Sequence, residues 1–143
     1  MISRAPVVSI VLPVRNGAAT LDRAIRSVVD QTFGDWELII VDDGSTDGIA
    51  DLLRHWSRVD DRIRIISESA RGIVAALSRD VSEAKAGLVA RMDADDEMKP
   101  ERLTKQVQLL KAKDHVGLVS CLVEFGGGIF NLCQPGGLAQ RVD

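Results

Sequence analysis

Short carboxylates in tight clusters are the most reactive feature of this sequence. Asp outnumbers Glu 15 to 6, and Asp42-Asp43 and Asp93-Ala94-Asp95-Asp96 each close an apolar run. Carboxylates converging in one crevice repel unless a cation, a donor group or a proton offsets their charge. A divalent metal is the simplest offset, and hard oxygen ligands favour magnesium, manganese or calcium over zinc, with manganese suited to phosphate oxygens as well. Neither cluster is an EF-hand: the loop from Asp43 carries Arg54 at its twelfth position, and the loop from Asp93 carries Met98 at its sixth and Thr104 at its twelfth. Dinucleotide and P-loop fingerprints are missing, with Gly17 alone after the first apolar run and no GxxxxGK[ST]. No GxSxG elbow accompanies His55 or His115, so a Ser-His-Asp triad has no support. What remains is an Asp-x-Asp at one strand end, an Asp pair at another, and no evident nucleophile. Such a set can hold a metal against a diphosphate, where the metal offsets charge on the departing group. An aspartate phosphatase using Asp93 as nucleophile is disfavoured, because those enzymes generally place Asp-x-Asp after the first strand and here it follows the fourth.

The elements that must carry these loops alternate. Val7–Leu12 reads as a strand buried on both faces and stopped by Pro13. Leu21, Ala24, Ile25, Val28 and Val29 recur at helical spacing behind Thr20, a plausible N-cap, with Gly34 closing the segment. Trp36–Val41, Ile63–Ile66, Leu88–Met92 and Val116–Val123 are further strands. Helices fall between them, on Ile49 to Trp56, Ile73 to Ala84, and a run beginning near Pro100. Repeated strand-helix-strand order with right-handed crossovers implies an α/β fold, a mostly parallel doubly wound sheet with helices on both faces. Ligands of such sheets bind beyond the carboxyl ends of the strands, which directs attention to Pro13–Gly17, Asp42–Gly48, Ser67–Gly72 and Asp93–Asp96. Residues 126–143 hold 5 of the 12 glycines and no period, so they read as an irregular Gly-rich tail behind a domain spanning 1–125.

At this point the residues resemble a known family. Val8-Ser9-Ile10-Val11-Leu12-Pro13-Val14-Arg15-Asn16-Gly17, Leu38-Ile39-Ile40-Val41-Asp42-Asp43-Gly44-Ser45-Thr46-Asp47, Ala90-Arg91-Met92-Asp93-Ala94-Asp95-Asp96 and Pro100-Glu101-Arg102-Leu103 look like family 2 glycosyltransferases of the Rossmann-like GT-A fold. The likeness is collinear from Val7 to Phe125. It implies a nucleotide-sugar donor, usually a UDP-sugar, and metal-assisted transfer that inverts the anomeric carbon, with Mn2+ or Mg2+ as cofactor. Carried over, Pro13, Val14, Arg15 and Asn16 would line the nucleoside pocket and Asp43 would accept a hydrogen bond from the base. Asp93 would lie near ribose and metal, Ala94 would sit beside the donor, and Asp95 would hold the metal against the diphosphate. Arg71 and Gly72 fall where the family's third loop approaches the donor, and the forked guanidinium of Arg71 suits two phosphate oxygens. The chain departs from the family at Arg15, where an aromatic residue is common, and at Ala70 and Ser78, where Asn is common. Members also continue past the DxD into an acceptor-binding half that supplies a carboxylate base. The resemblance leads to the expectation that this chain lacks that half; Glu124 is the single acidic residue between Asp114 and Asp143 and does not match the base motif.

Composition bounds the rest. With 143 residues, 45% hydrophobic and 27% charged, the chain suits one soluble domain rather than a disordered or disulfide-built one. A net charge of -3 argues against nucleic acid. Two Cys without CxxC and two His offer little to zinc and fit a reduced, cytoplasmic setting. No run approaches a membrane span, leaving peripheral association at the inner face of a membrane as the expected way to meet a lipid-linked or glycan acceptor. An unfinished sheet edge after Val123 would suit a homo-oligomer. The competing expectation is a catalytically incomplete nucleotide-sugar-binding remnant, which keeps the donor pocket and transfers nothing.

Overall fold

In a computed structural model the protein is described over residues 5–125, 128–131 and 139–142. Its elements are β1 (Val8–Val14), α1 (Leu21–Val29), β2 (Trp36–Asp43), α2 (Ile49–Val59), β3 (Ile63–Glu68), α3 (Ile73–Glu83), β4 (Leu88–Arg91), α4 (Arg102–Ala112), β5 (Leu118–Phe125), β6 (Gly128–Asn131) and β7 (Ala139–Val142). Two compact units separate: one holds the chain to Asp30 and Gly34–Met98, the other Gln31–Phe33 and the chain from Lys99.

The first unit is built on a four-stranded parallel sheet in the order β3-β2-β1-β4. Every residue of β1 and β2 is buried, as expected of central strands covered on both faces. Right-handed crossovers set α1 and α2 on one face and α3, which returns across the sheet to reach β4, on the other. α3 accordingly packs on β1 and β2. Ile10, Leu12, Leu38 and Ile40, of opposite parity to Ser9 and Glu37, and Leu21, Ile25 and Val28 of α1 are all closed to solvent. The α3 side is partly polar: Ser9 Oγ donates to Glu37 Oε1 at 2.7 Å, and Arg64 bridges Glu37 and Glu83. The Lys85 N–H also donates to Glu37, and the Ala86 N–H to Ser9 Oγ. Burial opposes charge on Glu37, but Ser9, the Lys85 N–H and Arg64 more than offset it and hold the carboxyl below its usual range.

β1 runs through Pro13 rather than stopping there, because Pro13 needs no donor. Val11 O accepts from Met92, so residues of that parity face β4, and pairing with β4 ends at Val11. Thr20 precedes α1 as expected, yet its side chain makes no cap; Gly17 O takes the Thr20 and Leu21 N–H groups instead.

The second unit holds α4 and a three-stranded sheet in the order β6-β5-β7. Here the structure departs from the sequence reading twice. β5 does not extend the parallel sheet but pairs antiparallel with β6 and parallel with β7. The stretch read as an irregular tail contains those two short strands, whose four-residue lengths give no period to detect and which pairing partners define. Cys133 lies outside the described residues. Among the described residues no helix is long and apolar enough to cross a membrane.

Candidate functional site at the carboxyl ends of the strands

Winding reverses between β1 and β4, so the loops leaving their carboxyl ends, together with those after β2 and β3, surround the crevice where open sheets place ligands. A cleft of 150 Å³ opens there, lined by Pro13, Val14, Arg15, Asp43, Gly72, Ile73 and Ala76. Five of these seven are residues that the sequence singles out; Ile73 and Ala76, the first turn of α3, are additions.

Hydrogen bonds between loops form the walls. Asn16, in the left-handed region at φ 56°, accepts the Thr46 N–H on Oδ1 at 2.9 Å, while its own N–H donates to Ser45 Oγ at 2.9 Å. Asp47 Oδ2 accepts the Ala18 N–H at 2.7 Å. The β1 and β2 loops are thereby tied at three points. Asp42 closes its own turn by accepting, on Oδ1, the N–H of Ser45 three residues on at 2.9 Å.

Asp43 ties the β2 loop to the β3 loop. Its two oxygens accept the Arg71 and Gly72 N–H groups at 2.6 and 2.9 Å, and only 3% of the residue is exposed. The Arg71 N–H is the main cause holding this carboxyl below its usual range; burial opposes it, and the Gly72 N–H and the charge of Arg15 add to it. Each carboxylate oxygen has a second lone pair, so this clamp leaves Asp43 able to accept from a ligand in the cleft. Gly44 makes the loop contact geometrically feasible: its φ is +71°, and a Cβ there would lie 2.8 Å from Ala70 N.

The acidic loop starts where β4 ends. Met92 and Met98, 2% and 5% exposed, anchor its ends; the Met98 N–H donates to Ser27 Oγ, and the Asp96 N–H to Asp93 O. Gly17 sets the β1 loop against it, since a Cβ there would lie 3.8 Å from that of Ala94 and 2.7 Å from Val14 Cγ2. Asp93 is half-buried and accepts two donors of Arg91 on Oδ1, Nε at 3.2 Å and Nη2 at 2.8 Å. Asp95 is exposed. Among the described residues no group of three or more His, Cys, Asp or Glu could hold a metal. Asp93 and Asp95 are the carboxylates of this loop that the family resemblance assigns to a cation.

The ten predicted residues thus lie at the carboxyl ends of β1 and β2 and on the loops that follow β1, β3 and β4. Pro13, Val14, Arg15, Asp43 and Gly72 line the cleft, Asn16 and Arg71 contribute to its tied walls, and Asp93, Ala94 and Asp95 form the acidic loop. Sequence reasoning missed the tying roles of Ser45, Thr46 and Asp47, and the pairing of Arg91 with Asp93. The signal for that last pairing is positional: residues i and i+2 of an extended strand share a face.

The comparisons with known proteins fit this geometry. Over 123 residues the chain is 34% identical to TuaG of Bacillus subtilis, whose name assigns it to teichuronic acid biosynthesis, covering 85% of this chain and 46% of that protein. The mannosyltransferase PcManGT from Pyrobaculum calidifontis, solved in complex with GDP-Man and Mn2+, is 27% identical with a TM-score of 0.75, covering 83% of this chain and 36% of its own. S. aureus TarS, solved with UDP-GlcNAc, shares the fold at 19% identity and a TM-score of 0.77, over 89% of this chain and 37% of its own. The chain therefore spans less than half the length of these relatives. The model of glycosyl transferase family 2 matches residues 9–134, and with that span and the four collinear motifs the chain belongs to this family.

Proposed function

We propose that this chain binds a nucleoside-diphosphate sugar, a UDP-sugar, as the donor of an inverting glycosyl transfer assisted by a divalent metal. The observation that carries the reading is the cleft walled by Pro13, Val14, Arg15, Asp43 and Gly72 beside an acidic loop at the sheet's switch point. Pro13, Val14 and Arg15 present the nucleoside wall. Asp43 offers remaining lone pairs to a donor group of the base. Arg71, on the loop after β3, would pair its guanidinium with phosphate oxygens. Asp93 and Asp95 would hold Mn2+ or Mg2+, and a cation there supplies charge neutralisation for the departing diphosphate. In inverting transfer an acceptor hydroxyl, here that of a glycan or lipid-linked acceptor met in the cytoplasm or at the inner membrane face, attacks the anomeric carbon in line with that diphosphate. We assign the general base to no residue; Glu124 is ion-paired with Lys99 at 3.0 Å.

Titration calorimetry tests the donor reading. UDP should bind more tightly with Mn2+ than without, and Asp95→Asn should abolish the difference; equal binding of all nucleotides irrespective of metal would overturn it. The pairing of Glu124 with Lys99, which leaves the general base unassigned, favours a second reading, donor binding without transfer. Donor turnover abolished by Asp95→Asn would exclude that second reading, and binding without turnover would favour it.

A further inference from the structure

We propose that α3 is a pH-dependent wall of the cleft: loss of the Asp80 proton releases the amino-terminal half of the helix from the sheet, and nucleoside-diphosphate binding weakens with it. The inference rests on the donor-binding reading above for its ligand, and on α3 itself for its mechanism. Asp80 is fully buried, yet neither of its oxygens has a hydrogen-bond partner. An ionised carboxylate there has no counter-charge and no donor, so the docked helix is favoured with the carboxyl protonated.

The charged groups of the elements packed against α3 are committed elsewhere. β1 carries none, and those of β2 are Glu37, Asp42 and Asp43. Glu37 is bonded to Ser9, the Lys85 N–H and Arg64. Asp42 accepts the Ser45 N–H, and Asp43 the Arg71 and Gly72 N–H groups. On α3 itself Arg79 pairs with Glu68 and Glu83, and Arg64 of β3 also holds Glu83. Burial alone therefore governs the Asp80 carboxyl and raises it to about 8, which brings its ionisation into an accessible range of pH.

α3 is also poorly anchored against such a charge. Only Ala76 and Asp80 of its 11 residues are buried, whereas α1 buries Leu21, Ala24, Ile25 and Val28 of its 9. Ile73 and Val74 at its start are 56% and 76% exposed, and no side chain caps its first turn. Its carboxyl end is better fastened, by Arg64 to Glu83 and by the Lys85 N–H to Glu37. Segments with few buried apolar contacts open locally at less cost than the whole fold, so ionisation frees the amino-terminal half first. That half supplies Ile73 and Ala76 to the cleft and follows directly on Arg71 and Gly72, whose N–H groups clamp Asp43. Its release removes one wall and loosens the loop contact behind it, and ligand affinity falls with the docked fraction.

The test follows amide hydrogen exchange in α3 and α1 of the full chain from pH 6 to 9, corrected for intrinsic rates, in the wild type and in Asp80→Asn. Protection of the wild-type α3 should fall about ten-fold over that range while α1 holds, and Asp80→Asn should keep α3 protected throughout. UDP titrated calorimetrically in Mg2+ should bind both proteins alike at pH 6, and the wild type at least about three-fold more weakly than Asp80→Asn at pH 9. The titration of UDP itself is common to both and cancels. Wild-type α3 protection that does not change with pH, simultaneous loss from α1 and α3, or UDP affinities that stay parallel to pH 9 would each overturn the proposal. Exchange in the wild type alone decides the helix motion if the variant does not fold. Absence of UDP binding to either protein at pH 6 would instead remove the donor-binding reading, with the exchange measurement still deciding whether α3 opens.

Discussion

Replacing Asp80 with Asn should stabilise the protein at neutral pH and flatten its dependence on pH. Asp80 lies in α3, fully buried, and neither carboxyl oxygen has a hydrogen-bond partner. It is on the helix face that packs on β1 and β2, one turn beyond Ala76 of the cleft wall. The ionic groups on that side are engaged elsewhere: Arg64 with Glu37 and Glu83, and Arg79 with Glu68 and Glu83. Burial alone pushes the Asp80 carboxyl up from 3.8 to about 8. Between those values the native state binds a proton that the unfolded chain has released. Stability is therefore fully present below about pH 4 and declines as pH rises, until it levels off above about 8. At about 1.4 kcal/mol per pH unit the upper bound at pH 7 is about 4 kcal/mol, and relaxation around a charged group in a real interior brings the expectation to about 2 kcal/mol. Asn has the same shape and never ionises. Urea melts of the two proteins at intervals from pH 5 to 9 should give a stability difference in favour of Asp80→Asn that grows with pH to about 2 kcal/mol. Other carboxylates titrate alike in both proteins and cancel. Parallel curves across that range, or a variant less stable than the wild type at pH 9, would refute the reasoning.

Other perturbations probe the framework of the cleft. Gly44→Ala places a Cβ in the left-handed region and 2.8 Å from Ala70 N; it should cost about 2 kcal/mol in thermal or urea unfolding and weaken nucleotide binding. Asp43→Asn keeps the shape but leaves an amide N–H₂ facing the Arg71 or Gly72 N–H, so UDP affinity should fall at least ten-fold by calorimetry. Ser9→Ala removes the hydroxyl that donates to Glu37 and accepts from the Ala86 N–H, for about 1–3 kcal/mol. Because Glu37 is held below 4.5, its contribution is present above that pH and lost as pH falls beneath it; Ser9→Ala should shift the acid-unfolding midpoint upward, read by circular dichroism.

The central strands β1 and β2 were legible because they are wholly buried and so read as largely apolar runs, Ile10–Leu12 and Leu38–Val41 foremost. The loops were legible because glycine and aspartate mark them. The partners of β5 were not, since a single apolar strand carries no information about which sheet receives it, and β6 and β7 are too short to show alternation. Asp80 was invisible for the opposite reason. Helical spacing places it on the apolar stripe with Ile73, Ala76, Leu77 and Ala84, yet Asp is ordinarily assigned to a solvated face. The sequence marks Asp43 by its place after an apolar run, but its bonds to Arg71 and Gly72 join residues about thirty positions apart, and that separation leaves no trace in spacing.

Those long-range ties also predict how the two ends of the site differ. The β1 loop is tied to the β2 loop through Asn16 and Asp47, and the β2 loop to the β3 loop through Asp43. A nucleoside entering between Pro13, Arg15 and Asp43 meets walls already assembled, so little of its binding energy is consumed in ordering them. None of those ties involves the acidic loop, whose Asp95 is exposed. Nucleoside binding should accordingly be indifferent to metal, while diphosphate binding responds to it. Uridine should bind with equal affinity in Mn2+ and in chelator, and UDP should gain at least ten-fold from Mn2+, a difference of about 1.4 kcal/mol by calorimetry. A uridine affinity that rises with Mn2+ would mean that the metal orders the nucleoside wall, contrary to a cleft preassembled by its own hydrogen bonds.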